Sequence, residues 1–219
     1  MDKYTLLPGD TKIVGGSTLY RIKALRRVCP GVPKDTLGGY IESLANLSQY
    51  GNAWVYGYAK VYGYAKVYGD AQVYGYAEVY ENARVYGDAQ VYGDAQVYGY
   101  AWVYGNARVC GDAQVYGNAQ VYGNARVYGY AWVYGNARVC GNARVYGNAQ
   151  VYGNAWVYEN TQVYENTQVY GDALVYGDAE VYGYARVCGY TWVYGNAEVC
   201  GNKDSKPYTH ILGPLWKVG

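Results

Sequence analysis

The chain has no Phe, one Met and one His, and 16% of its 219 residues are charged. A single His excludes a three-imidazole zinc centre and leaves little for general acid–base chemistry. No apolar run approaches the ~18 residues of a membrane-spanning helix. The polar start MDKYTLLPGD also lacks the apolar core of a secretion signal. The five Pro (Pro8, Pro30, Pro33, Pro207 and Pro214) all lie near the two ends. Between them runs a segment rich in Gly and Tyr, with 31 and 33 residues of these types in the whole chain.

From Gly51 to Cys200 that segment is one hexapeptide written 25 times without interruption, from GNAWVY to GNAEVC. The frame is Gly; then Asn, Asp or Tyr; then Ala; a variable residue; Val; and Tyr. Val holds the fifth place throughout, and Ala the third except at Thr161, Thr167 and Thr191. Residues two apart on a strand share a face, so Ala and Val point one way and the variable residue and Tyr the other. The variable set is mainly Gln, Arg, Glu, Lys and Trp, which places Ala and Val inside and Tyr outside. Gly followed by Asn or Asp is turn chemistry, because these residues tolerate positive φ. Gly is replaced by Glu81, Glu159 and Glu165, each followed by Asn, so every turn keeps one residue suited to the left-handed conformation.

Short strands joined by two-residue corners wind as a coil of parallel strands. The spacing resembles the hexapeptide-repeat left-handed β-helix, which implies an all-β, single-stranded parallel solenoid with three strands and eighteen residues per coil. The hand comes from that resemblance alone. A two-sided coil of twelve residues is the alternative. With eighteen residues per coil the 25 copies make just over eight turns, a rod roughly 40 Å long at ~4.8 Å per coil.

Residues 1–44 read as an N-terminal cap, with a strand-like stretch over 18–28. Residues 45–202 form the solenoid, and 203–219 a C-terminal cap with Pro214 and Trp216. Ala45–Tyr50 reads as a degenerate copy with Leu47 in the Ala place. The stretch LYRIKALRRV followed by LGGYIESLANLSQYGNAWVYG resembles uncharacterised repeat proteins of bacteria and phages. The lack of a secretion signal and of cysteines able to pair within the rod points to a cytoplasmic setting, and the resemblance to a bacterial or phage origin. In those proteins a segment like ILGPLWKVG opens a longer terminal domain, whose activity is not expected of this sequence. Four Cys (Cys110, Cys140, Cys188 and Cys200) replace Tyr in the sixth place and are too far apart in the three-sided coil to pair as disulfides.

Stacking every eighteenth residue gives three outward tyrosine ladders. They begin Tyr56, Tyr74, Tyr92; Tyr62, Tyr80, Tyr98; and Tyr68, Tyr86, Tyr104. Each hydroxyl keeps an aromatic surface wettable, and offset stacking holds the coils in register. Of the three faces, the third reads Lys66, Arg84, Trp102, Gln120, Arg138, Trp156, Leu174, Trp192. Its Trp102, Trp156, Trp192, Arg84, Arg138 and Leu174 form an aromatic strip of interface-like composition and are the candidate interaction residues. No cofactor, metal or catalytic residue is expected.

The charge is uneven. Residues 1–44 hold seven Lys or Arg against four Asp or Glu, residues 45–202 eight against twelve, and residues 203–219 three against one. A mildly acidic shaft lacks the basic stripe of a duplex-binding protein, so nucleic acid is not an expected partner. Proteins of similar fold include acyltransferases, which use a solenoid or loop His and interrupting loops. Here the one His is His210, in the tail, no loop interrupts the copies, and a smooth rod offers no concave pocket within one subunit. The expected function is a non-enzymatic rod, a homo-oligomer or protein-binding scaffold, with a ligand-binding module on the aromatic and Arg face as the alternative. An acyltransferase-like enzyme is a further alternative.

Overall fold

The computed structural model describes residues 2–210, 213 and the backbone of 217–218. Pro214 and Trp216, assigned above to the C-terminal cap, lie outside the described residues. Each repeat contributes a strand of two residues, the variable residue and Val, as in Gln72–Val73 and Arg108–Val109. Residues eighteen apart pair in parallel, Gln72 with Gln90 and Gln90 with Arg108. Three such ladders, one of them extended by two antiparallel strands at the N-terminal end, give sheets of eleven, ten and eight strands around about nine turns. The twelve-residue coil is thereby excluded.

Within a coil every second N–H donates to the next turn. Asp70 N–H bonds Gly87 O (2.9 Å), Gln72 N–H bonds Ala89 O (2.9 Å) and Tyr74 N–H bonds Val91 O (3.0 Å). The repeat Val side chains are at most 1% exposed and the repeat Ala side chains are fully buried. Thr161 and Thr167, equally buried in the Ala place, pair their hydroxyls with the carbonyls of Tyr158 (2.7 Å) and Tyr164 (2.6 Å), three residues back. That local bond satisfies a hydroxyl that would otherwise be costly to bury.

The corners carry one correction. Where Glu replaces Gly, the Glu itself takes positive φ (Glu81 59°, Glu159 63°, Glu165 62°), and the following Asn does not. The carboxylate helps hold that conformation by accepting the amide of the next coil's first residue. Gly99 N–H bonds Glu81 Oε2 (2.9 Å), Gly177 N–H bonds Glu159 Oε2 (2.8 Å) and Gly183 N–H bonds Glu165 Oε2 (2.8 Å).

The N-terminal region is a β-hairpin, β1 (Tyr4–Val14) and β2 (Ser17–Ala24), continued by β3 (Leu37–Ile41). β1 and β2 pair antiparallel, as do β2 and β3, whereas β3 pairs in parallel with Lys60–Val61 and so starts the solenoid. β1 was not foreseen, because Pro8 and Gly9 interrupt its pattern; they sit at the register shift between Leu7 and Thr11, where a strand tolerates Pro. Gly38 and Gly39 are required by close approach, since a Cβ there would lie 2.6 Å from Val55 O and 2.5 Å from Ala59 O.

The first coil is out of the repeat frame. Leu47 bridges Val67 and so stands in the Val place, not the Ala place. The chain takes six residues from Leu47 to Ala53 where the next coil takes four from Val67 to Ala71, so pairing shifts from twenty residues apart to eighteen. Trp54, a variable-place residue expected outside, is fully buried beneath the cap. Its ring meets Tyr4 edge-on at 6.1 Å, Tyr4 Oη donates to Leu47 O (2.6 Å) and Lys3 Nζ donates to Ala53 O (2.8 Å). At the other end Tyr208 bridges Val187 and donates its hydroxyl to Cys200 O (2.6 Å), and Lys217–Val218 adds in parallel to Glu198–Val199.

Candidate functional site

Because the variable place always points outward in mid-rod, the eighteen-residue register converts sequence spacing into surface columns. The third sheet pairs Lys66 with Arg84, Arg84 with Trp102, Gln120 with both Trp102 and Arg138, Arg138 with Trp156, and Leu174 with both Trp156 and Trp192. All six candidate interaction residues therefore lie on one face. Each Arg serves the Trp one coil further on. The Arg84 guanidinium lies 5.3 Å from the Trp102 ring and that of Arg138 5.5 Å from Trp156, both in cation–π range. Trp102 and Trp156 are consequently half-buried, and Trp192 is the most open of the three at 44%. The strip is less exposed than its composition alone suggests.

Beside this face a hollow of about 480 Å³ opens between Tyr64, Lys66, Arg84, Tyr100 and Trp102. A second, of about 840 Å³, lies where the cap meets the first coils, lined by Ser17, Glu42, Asn46, Tyr62 and Lys66 among others. The shaft is therefore not smooth at its N-terminal end, contrary to the expectation. Glu42, which lines that hollow, has both oxygens engaged, by Ser17 Oγ (2.9 Å) and Gly63 N–H (2.6 Å). Among the described residues no group of three or more His, Cys, Asp or Glu is placed to hold a metal ion. No helix of the described residues is long and apolar enough to cross a membrane.

The tyrosine ladders form as predicted, with one exception. Tyr62, Tyr80 and Tyr98 stack at 5.1 and 4.8 Å, Tyr68, Tyr86 and Tyr104 at 4.8 and 4.9 Å, and Tyr74 and Tyr92 at 4.7 Å. Tyr56 instead meets Tyr74 edge-on at 85°, because the cap's Cys29 thiol approaches its hydroxyl (3.8 Å). Burial against neighbouring rings pushes the phenol pKa values up, to about 12 at Tyr80. On the second sheet Lys60 stacks on Glu78 (2.7 Å), whose other oxygen accepts from Tyr62 Oη (3.0 Å).

Sequence reasoning missed the corner ladders. Asn106, Asn124, Asn142 and Asn160 pass side-chain hydrogen bonds up the rod (3.1, 3.1 and 2.9 Å) to Asp178 (2.9 Å). Asn118, Asn136 and Asn154 do the same (3.1 and 3.0 Å) to Asp172 (2.9 Å). The signal was present: in both columns the run of Asn ends C-terminally in Asp, and an ionised carboxylate can only accept.

Comparison with protein-family models agrees with this architecture. The family model described as YdcK β-solenoid repeat matches residues 77–93, 89–105, 101–117, 119–135, 137–150, 149–165 and 168–183. No curated protein sequence matches the chain. Among solved structures, an Arabidopsis UDP-N-acetylglucosamine acyltransferase aligns over 76% of this chain and 70% of its own, at 13% identity and a TM-score of 0.32. Likeness at that level carries no argument about activity.

Proposed function

We propose that this chain, a β-solenoid repeat protein with surface tyrosine ladders, is a non-enzymatic interaction rod that associates with a second copy through its third face. The observation that carries the reading is the single column holding Arg84, Trp102, Arg138, Trp156 and Trp192, with two Trp already held by Arg. Arg and Trp held in place beforehand lose little side-chain freedom on association, and both are favoured at interface hot spots. Replacing Trp102, Trp156 and Trp192 together by Gln, a residue the repeat uses at this place, leaves the coil intact. The expected outcome is an oligomer by light scattering for the parent and a monomer for the variant. A parent that is monomeric at every concentration overturns the reading.

A second reading, a flat or sugar-like ligand on the same face, is favoured by the hollow between Tyr64, Tyr100 and Trp102. On that reading the triple variant keeps the parent's mass and loses ligand-dependent quenching of Trp fluorescence.

A further inference from the structure

The first sheet carries a column with no place in the interaction reading above. Arg108 pairs with Arg126 and Arg126 with Arg144, so three arginines occupy one column on successive coils. All three are exposed. The ion pairs among the described residues are Arg21–Asp10, Lys23–Asp35 and Lys60–Glu78, so none of the three has a carboxylate partner. Asp88 borders the same surface, and Asp94 and Asp112 occupy the following corner, all without reaching the column. Like charges directly opposite on neighbouring strands destabilise a sheet. The repeat uses Gln on both sides of this run, at Gln90 and Gln162. Three consecutive Arg therefore cost stability that Gln would not.

The tyrosine column next to them opens at the same level. Elsewhere in that column rings stack at 4.7 Å (Tyr74 and Tyr92) and 4.9 Å (Tyr128 and Tyr146). Between Tyr92 and Tyr128 the sixth place is Cys110, and a hollow of about 220 Å³ lies there, lined by Tyr92, Arg108, Cys110, Arg126, Tyr128 and Arg144. Cys140 shows what such a level accepts. At Cys140 the indole of Trp156 leans to within 5.3 Å of the Tyr158 ring, and Cys140 is buried. Cys110 is half-exposed.

We propose that the level of Cys110 binds a nucleotide: a planar heteroaromatic ring between Tyr92 and Tyr128, with its di- or triphosphate along Arg108, Arg126 and Arg144. Ring stacking on two tyrosine faces and charge-assisted bonds from guanidinium to phosphate are the recognition chemistry. The column of Asn106, Asn124 and Asn142 on the other side of the arginines adds amide groups able to bond a ribose or a phosphate oxygen.

The test is titration calorimetry of the full chain with ATP, with adenosine and with tripolyphosphate. The expected result is one ATP per chain, bound at least about tenfold more tightly than either fragment. Cys110→Tyr places the repeat's own ring in the slot. It is expected to keep or raise the melting temperature while weakening ATP by a similar factor. Arg126→Gln, which restores the residue common at this place, is expected to weaken ATP and tripolyphosphate together. Tripolyphosphate binding as tightly as ATP, ATP binding unaffected by Cys110→Tyr, or no binding of ATP to the parent each overturns the proposal.

Discussion

At the scale of single residues, one repeat corner and one buried cation of the cap show how the coil is held. Glu159 holds φ 63° where other copies have Gly, and offsets that conformation by accepting Gly177 N–H. An L-residue in the left-handed region costs about 1–2 kcal/mol, and the carboxylate bond returns about 1 kcal/mol. Glu159→Ala keeps the first and loses the second, and is expected to lower the melting temperature. Glu159→Gly removes both and is expected to leave it unchanged or raise it; thermal denaturation of the pair measures this. Lys3, sealed under the cap against Ala53 O, has its pKa lowered from 10.5 to about 8, first by burial and then by Arg26, with Asp70 and Cys29 opposing. At this site the unfolded chain therefore holds its proton longer than the native one, so the Lys3 contribution makes stability rise with pH from about 8 to about 10. The gain is at most about 3 kcal/mol. Above pH 10 the sign reverses, because the ladder phenols have raised pKa values and the unfolded chain ionises first. Chemical denaturation of the parent at a series of pH values is expected to show a rise and then a fall. In Lys3→Met the rise is absent and the fall remains; an identical profile in both contradicts this assignment.

At the scale of the element, each coil edge is held by columns whose members must match in hydrogen-bonding sense. Asn142 accepts from Asn124 and donates to Asn160, whereas Asp178 only accepts. Asn142→Asp sets two acceptors against each other and is expected to cost about 1 kcal/mol at neutral pH, with recovery on protonation. Asp178→Asn is expected to be near neutral, and urea denaturation separates the two. Much of this scale was legible in advance. Identical faces every six residues limit pairing to multiples of six, the resemblance to the hexapeptide β-helix favours eighteen over twelve, and eighteen fixes the three sheets, the tyrosine ladders and the third-face column. The corner columns were also written in the sequence, in the order of Asn before Asp, but turn preference alone explained those residues and hid the second role. Where periodicity lapses the reading failed for physical reasons. Two extra residues after Leu47 look like repeat corner and move Leu47 from the Ala to the Val place. Trp54 carries the same local pattern as Trp102, and only docking of Tyr4 and Lys3 buries it. The Glu corners misled because Asn is the better left-handed residue in isolation, while the neighbouring coil's amide rewards Glu.

At the scale of the whole molecule, stability is a sum of similar layers and their interfaces, so the surface can vary while the core does not. Val repeats inside without change and Ala with only three replacements by Thr, while Gln, Arg, Glu, Lys, Leu and Trp alternate outside. Function on such a rod resides in which residues share a column, and the three faces differ. The third gathers Trp under Arg, the first carries the arginine column, and the second offsets Lys60 with Glu78. The proposal that the third face joins one rod to another stands or falls on the solution mass of the purified chain. Light scattering over a wide concentration range is expected to give a dimer or larger assembly that Trp102→Gln, Trp156→Gln and Trp192→Gln together reduce to a monomer with an unchanged circular dichroism spectrum. A parent that stays monomeric throughout, or an assembly that survives the triple substitution, contradicts the claim.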